Sequence, residues 1–470
     1  MKLSTLTTTF AILKVIVVAY IVEEKFCKDL YNQRHKPDLY DELIKLDIAK
    51  NPDSNAAVFP AIQQYMLVLI YGLMDAVSTL RGYRNFHNNI KLYVDVVHHQ
   101  RMHAIYTSNF VPMHLYNHLF YYTDFSTQNC LRTAARSLQK LLIYNDDFMR
   151  FPDMDLNNTN IKKFIRNDFE YNHFYLMNNF KVNNPTFLWF TKFRTYGLLN
   201  LKLMSVDEGA FTRQDGSPKR ARYVHAIGNM RNYEDDDMVI VQIHAKTYEE
   251  MTILLLKPKS PSFVLDTRVI WQKFEERSTL EEINLFYPEV NNIDYKIDMK
   301  AKFDQMGLNN TFHNQHRNIV LLDDCVEGTS AKYREMTDYD QEIFIELSSQ
   351  TLTVETMFAL SDNIPIPKTP LQTSNTGNAG SDHDVNTIHF STQQKNPNND
   401  LKTVSFNQTF YLLMYENRTS FNPKDLFSAC KQYNETEVKR LTSNNVFFSA
   451  YIDDPYNPNF ISRINRAFNK

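Results

Sequence analysis

Glycine is nearly missing from this chain: 10 residues in 470, roughly 2% where about 7% is ordinary. A phosphate-cradling loop needs several glycines close together, so Rossmann and P-loop nucleotide enzymes are excluded. Cysteine is scarce as well. The four cysteines, Cys27, Cys130, Cys325 and Cys430, lie far apart and form no C-x-x-C pair. Zinc ribbons and thioredoxin-like redox sites are thereby removed. In an oxidising compartment the four allow one or two disulfides, with the pairing left open. Positive charge is not in excess either: the formal net charge is −3, whereas nucleic-acid binding calls for a basic surplus. Neither Gly-x-Ser-x-Gly nor His-Glu-x-x-His occurs, so the local signatures of a serine hydrolase and of a zinc protease are both lacking. Together these absences point away from an enzyme, a resident cofactor, a metal site or a nucleic-acid partner.

Long apolar runs are also few. The longest near the start, Phe10 to Val22, is broken by Lys14 and is too short to span a bilayer. With Lys2 before it and Glu23-Glu24-Lys25 after it, the run reads as a secretory signal peptide over residues 1–19, cut after Ala19; an uncut signal anchor is the alternative. No later stretch predicts stable membrane insertion. Five Asn-x-Ser/Thr sequons, at Asn157, Asn309, Asn407, Asn417 and Asn434, accord with export and are the candidate glycosylation sites. The expectation is a secreted, extracellular, monomeric glycoprotein.

Aromatic residues, by contrast, are plentiful: 33 Phe and 27 Tyr supply a large core. Leu39, Tyr40, Leu43 and Leu46 recur at helical spacing after Pro37 and predict an amphipathic helix over 38–48. Pro60 suits the first turn of a second helix, running to about Ser78. The aromatic run from Thr186 to Gly197 reads as a buried strand, and Asp215-Gly216 as a tight turn. Met238 to His244 and Met251 to Pro258 read as a hairpin. Ile293 to Phe312 combines an extended arm, a short amphipathic helix and a stop at Gly307. Gln341 to Glu346 predicts a strand entering a polar segment, 361–403, too poor in large apolar groups to offset its ordering entropy. Order resumes at Val404 to Arg418.

These segments, in this order, resemble the serpin superfamily. Met306-Gly307-Leu308-Asn309-Asn310-Thr311-Phe312 is similar to its "Leu-Gly-Met-x-x-x-Phe" phrase after a basic helix. Asn55 to Pro60 is similar to its "Asn-x-x-x-Ser-Pro" entry to a buried helix, with Phe59 in place of the serine and Ile62 near a second usual serine. Phe211 to Gly216 matches its "Phe…Asp-Gly" turn. Leu426-Phe427-Ser428-Ala429-Cys430 stands where a "Leu-Phe-Met-Gly-Arg" strand belongs. The resemblance spans about 38–433 and implies an α+β fold, with helices packed around large mixed and antiparallel sheets and a long exposed reactive-type loop. Residues 434–470 are left as a C-terminal extension.

The resemblance further implies a serine protease inhibitor, with a trypsin-like enzyme as candidate partner. An inhibitory serpin works as a spring: once cut, its loop inserts into the central sheet as a new strand. Insertion calls for a hinge of small residues, which the family writes "Glu-x-Gly-Thr-x-Ala-Ala-Ala". The equivalent residues here are Ser348, Ser349, Gln350 and Thr351, then Leu352 to Thr356, with neither Gly nor an Ala run. Glu355 would bring a carboxylate into the interior, which costs several kcal/mol when unpaired. The expectation is therefore weak or absent inhibition, with cleavage but no insertion. The alternative is a non-inhibitory extracellular binding or carrier protein on the same fold. Counting from the hinge places the reactive bond among Ile364, Ile366 and Lys368, of which Lys368 suits a trypsin-like protease.

Three local clusters carry weaker alternatives. His98, His99 and His103 share helical spacing, but Gln100-Arg101 follow in place of a catalytic glutamate, so a solvated surface is favoured. Asp235-Asp236-Asp237 lacks EF-hand spacing and reads as a solvated loop. Lys219-Arg220-Ala221-Arg222 is a short basic patch for sulfated sugars or proteolysis.

Overall fold

The structure is a computed structural model describing residues 38–51, 54–60, 63, 113–121, 187–245, 251–260, 262–307, 338–361, 401–416 and 446–455. Two sheets and three helices account for most of these residues. The larger sheet has nine strands in the order β1-β14-β13-β7-β6-β5-β8-β12, with β4 paired to β5 outside that path. The strands are β1 (Ala56–Val58), β4 (Lys202–Thr212), β5 (Pro218–Glu234), β6 (Met238–Ile243), β7 (Met251–Pro258), β8 (Thr279–Pro288), β12 (Lys402–Ser405), β13 (Phe410–Glu416) and β14 (Val446–Ile452). Every residue of β6 is buried, as are the first six of β7. Strands covered on both faces read as continuous apolar runs, which is why Met-Val-Ile-Val-Gln-Ile and Met-Thr-Ile-Leu-Leu-Leu take the middle of the sheet. They form the expected antiparallel hairpin. The β4–β5 turn is at Asp215-Gly216 as read, with Gly216 at φ 82° and the Ser217 N–H donating to Asp215 Oδ1.

Helix α1 (Leu39–Lys50) starts at Asp38, whose carboxylate accepts from the Tyr40 and Asp41 N–H groups. Its apolar stripe, Leu39, Tyr40, Leu43 and Ile44, is buried. From the same helix, Asp41 Oδ2 accepts the Thr267 N–H and hydroxyl, each at 3.0 Å, pinning the start of α2 (Thr267–Arg277). Asp47 pairs with Lys302 of α3 (Met299–Gln305). Gly307, at φ 73°, stops α3 as the sequence indicates. A side chain there would be strained by backbone conformation alone.

The second sheet has five strands, β2 (Met113–Tyr121), β3 (Phe187–Leu198), β11 (Thr351–Ser361), β10 (Asp338–Leu347) and β9 (Val290–Asp298), in that order and antiparallel throughout. One continuous core joins both sheets: Leu352, Val354 and Phe358 belong to the same cluster as Leu254, Leu412 and Phe448.

Two expectations need correction. Residues 434–470 are not simply an extension beyond the domain, because Val446–Ile452 is β14, paired with β13 on one side and β1 on the other. Phe447, Phe448, Ala450 and Ile452 are fully buried. The strand role assigned to Leu426–Cys430 therefore has a better-fitting claimant; 426–430 itself lies outside the described residues. The second correction concerns 361–403. Ser361 closes β11, and Lys402 and Thr403 open β12, so both ends of the expected loop belong to strands. Its interior, 362–400, lies outside the described residues. So do the signal segment 1–19, the four cysteines, the three histidines, the helix from Ala61 (save Gln63), Ile62, Asn309 to Phe312 and most of 84–180.

Candidate functional site

The site is the middle of the five-stranded sheet, where β11 lies between β10 and β3. Ser348 to Thr351 makes the tight turn that reverses β10 into β11. The Ser348 N–H donates to the Thr351 carbonyl at 2.8 Å. The Ser348 hydroxyl oxygen accepts the Thr351 and Gln350 N–H groups at 3.0 and 3.2 Å, and it lies 2.9 Å from Thr351 Oγ1. Serine favours turns for this reason: its side chain stands in for a missing backbone partner. The Tyr287 hydroxyl donates to the Ser348 carbonyl at 3.0 Å, and the Leu199 N–H to the Gln350 carbonyl at 2.7 Å. These bonds fasten the turn to the neighbouring strands.

Ser348, Ser349, Gln350 and Thr351 are thus a fixed hairpin turn. The expected flexible hinge is replaced because hydroxyl-rich residues close a turn at low cost. Beyond them, ten residues of β10 and eleven of β3 pair with β11 without a break in register. Leu352, Val354, Thr356 and Phe358 face one side, and Thr353, Glu355 and Met357 the other; all seven are buried. The signal for this strand was present in the sequence as period-2 alternation through Leu352, Val354 and Phe358.

Glu355 is only 2% exposed, yet the strand is in place. The expectation that this carboxylate keeps the segment out of the sheet is corrected on physical grounds: burying Leu352, Val354, Met357 and Phe358 contributes about 1.5–3 kcal/mol each, more together than one carboxylate costs. Glu355 is itself engaged in an interaction, and its register partner on β3 is Arg194.

A polar chain crosses the sheet on its other face. Gln63 Nε2 donates to Gln341 Oε1 at 2.5 Å, Gln341 Nε2 donates to Thr356 Oγ1 at 3.0 Å, and Thr356 Oγ1 donates to the Glu342 carbonyl at 3.0 Å. Gln63, Gln341 and Thr356 are all fully buried. Thr356 belongs to β11, so this chain is complete only with β11 in the sheet. Phe59, in the place where the resemblance has serine, packs instead on Phe447 and Phe448 of β14 at ring distances of 5.1 and 5.2 Å.

The remaining candidates fare differently. Ile364, Ile366 and Lys368 lie outside the described residues, as do Asn157, Asn309, Asn417 and Asn434. Asn407 is exposed just before β13, while the threonine of its sequon, Thr409, donates its hydroxyl to Asp453 at 2.8 Å. The basic patch is neutralised where it stands: Lys219 pairs with Asp454, Arg220 with Glu208, and Arg222 with Glu289. The aspartate run is a turn. Asp235 accepts from the Asp237 and Met238 N–H groups, the Tyr233 hydroxyl and Lys273 Nζ. Among the described residues no helix is long and apolar enough to cross a membrane.

Burial of Asp235 would raise its pKa, but the hydrogen bonds from Lys273, Tyr233 and the two backbone N–H groups outweigh it, and the value falls to about 2 from 3.8. A depressed carboxylate stabilises the fold above its unfolded value. That contribution, about 1–2 kcal/mol after solvent screening, is lost as the pH falls from about 4 towards 2. Asp235→Asn is therefore expected to cost this amount at pH 5 and very little near pH 2, as read by urea melts. An equal cost at both pH values would rule out this account of the turn.

No protein-family model and no curated protein sequence matches the chain. Solved structures do. A cleaved serpin, Serpin 42Da, superposes with a TM-score of 0.61 at 10% identity, covering 92% of this chain and 99% of that one. A thermophilic serpin, tengpin, in the latent state gives 0.58 at 11% identity, over 92% and 98%. Thyroxine-binding globulin in complex with thyroxine gives 0.57 at 10% identity, over 92% and 99%. With both sheets, the strand order and these likenesses agreeing, the chain has the serpin fold.

Proposed function

We propose that this protein is an extracellular serpin-fold protein that meets trypsin-like serine proteases as a substrate and does not trap them. One observation carries the reading: β11, the strand that a serpin trap inserts after cleavage, already lies between β3 and β10 in the uncut chain. A trap draws its force from the stability gained on insertion. Where the strand is already paired on both sides, that gain is already realised and nothing remains to drag a protease. Glu355 thus accompanies the loss of inhibition without causing it. The Phe10–Val22 run and the five sequons support export.

Incubation with trypsin tests this. The expected result is a cut within 362–400, no SDS-stable adduct, and a cut protein that melts within a few degrees of the intact one. A covalent adduct, with the cut protein melting tens of degrees higher, would restore the inhibitory reading.

The second reading, a non-inhibitory carrier, is favoured by the likeness to thyroxine-binding globulin with thyroxine bound. Thyroxine is the probe: a rise in melting temperature at micromolar ligand would support it, and no shift at saturation would remove thyroxine-like ligands.

A further inference from the structure

We propose that β11 takes its central place without cleavage, and with β12 still docked, because the segment joining them is long enough to return along the molecule. This rests on reading β11 as the inserted loop strand. The two ends of the connection are fixed by described residues. The turn that starts β11 is held beside β8, where the Tyr287 hydroxyl donates to the Ser348 carbonyl. At the same end, Ser405 of β12 pairs in parallel register with Phe286 of β8, and the Phe406 N–H donates to the Phe286 carbonyl at 2.8 Å. From its turn β11 runs eleven residues away, about 33 Å at ~3.3 Å per residue. Its last residue, Ser361, is therefore separated from β12 by a span on the order of 30 Å, and more around a surface.

The connection, residues 362–400, contains 39 residues. Fully extended, it reaches about 130 Å, and a flexible chain of that length has a root-mean-square span of about 35 Å. No peptide bond has to break, and no strand has to be surrendered. The entropic cost of so long a loop rises slowly, about 0.6 kcal/mol per doubling. That is small against the apolar burial along β11. With only about eight residues the reach falls to roughly 30 Å, leaving nothing for a path around the body. The length of this one segment therefore decides whether the molecule holds an uninserted strand or an inserted one.

A series of internal deletions tests this. Each variant carries the same engineered site for a sequence-specific protease, so that every chain, the full-length one included, is studied intact and cut. Removing residues 372–390 leaves 20 connecting residues, and removing 366–396 leaves eight. Hydrogen exchange is read on segments 351–361 and 402–405, with melting temperature alongside. In the full-length and 20-residue chains both segments are expected to be protected before cutting, and cutting changes neither. In the eight-residue chain one of the two is expected to exchange about ten-fold faster or more, with a lower melting temperature. Cutting then restores the protection and raises the melting temperature.

Two results overturn the proposal: an eight-residue chain protected in both segments while intact, or a full-length chain whose 351–361 amides become protected only after cutting. Because the reporter protease is not the proposed target, the outcome is separable from the trapping question. An adduct with trypsin would refute the substrate reading and leave the length dependence to be judged on its own data.

Discussion

Deletion of residues 446–470 is expected to leave a chain that does not fold. The sequence marks this stretch as an appendage, and an appendage comes off without loss. In the structure it supplies β14, which joins β1 to β13. Phe447, Phe448, Ala450, Tyr451 and Ile452 are each at most 3% exposed. At about 1.5–3 kcal/mol for each large side chain, their burial is on the order of 10 kcal/mol, comparable with the whole stability of an ordinary domain. The deletion also takes the rings of Phe447 and Phe448 away from Phe59. It removes Asp453 as well, a fully buried carboxylate that accepts from Arg213 Nε at 3.1 Å, the Gln214 N–H at 2.6 Å and the Thr409 hydroxyl at 2.8 Å. The expected observation is an insoluble or uncooperative product by circular dichroism. Single substitution Asp453→Ala should leave a folded protein that is weaker by about 3 kcal/mol, since three donors are left without their acceptor. A truncated chain that melts cooperatively at the full-length midpoint would defeat the assignment of β14.

Glu355→Ala is expected to lower the stability of the intact protein by about 2–4 kcal/mol. The sign is what matters. Were Glu355 a misfit held in the sheet against its own cost, its removal would stabilise the protein. Glu355 is engaged in a polar interaction, and the register places Arg194 opposite it. Removing a buried carboxylate that is engaged leaves its partner uncompensated, which is the costly way to break such an interaction. Denaturant melts of Glu355→Ala, Arg194→Ala and the double variant read the coupling directly, with about 1–3 kcal/mol expected. Additive costs would show that Arg194 is not the group that holds Glu355. A rise in stability for Glu355→Ala would reinstate the carboxylate as an obstacle.

Much of the fold is legible in the residues because it rests on local periodicity. The helix from Leu39, the β6–β7 hairpin, the Asp215-Gly216 turn and the stop at Gly307 each follow from spacing or from a single backbone requirement. The candidate site was legible only in part. Ser348 to Thr351 were singled out, but hydroxyl-rich residues serve a hinge and a turn equally well. The choice between them depends on whether two other strands leave a place for the next one. Local sequence makes the aspartate run a solvated loop and the basic patch a site for sulfated sugars or proteolysis; partners as distant in sequence as Lys273 and Asp454 are what consume them.

By itself, then, the sequence determined the elements, the α+β class and the serpin-like order of segments, because each is written within a dozen residues by hydrophobic period and turn chemistry. It also determined the 39-residue connection, which is a matter of counting. Tertiary structure alone decided that β11 lies inside the sheet, that Glu355 falls in register with position 194, and that the last strand of the large sheet comes from 446–452. These are pairings between segments up to hundreds of residues apart. Their free energy depends on what is buried on both faces at once, which no local pattern records.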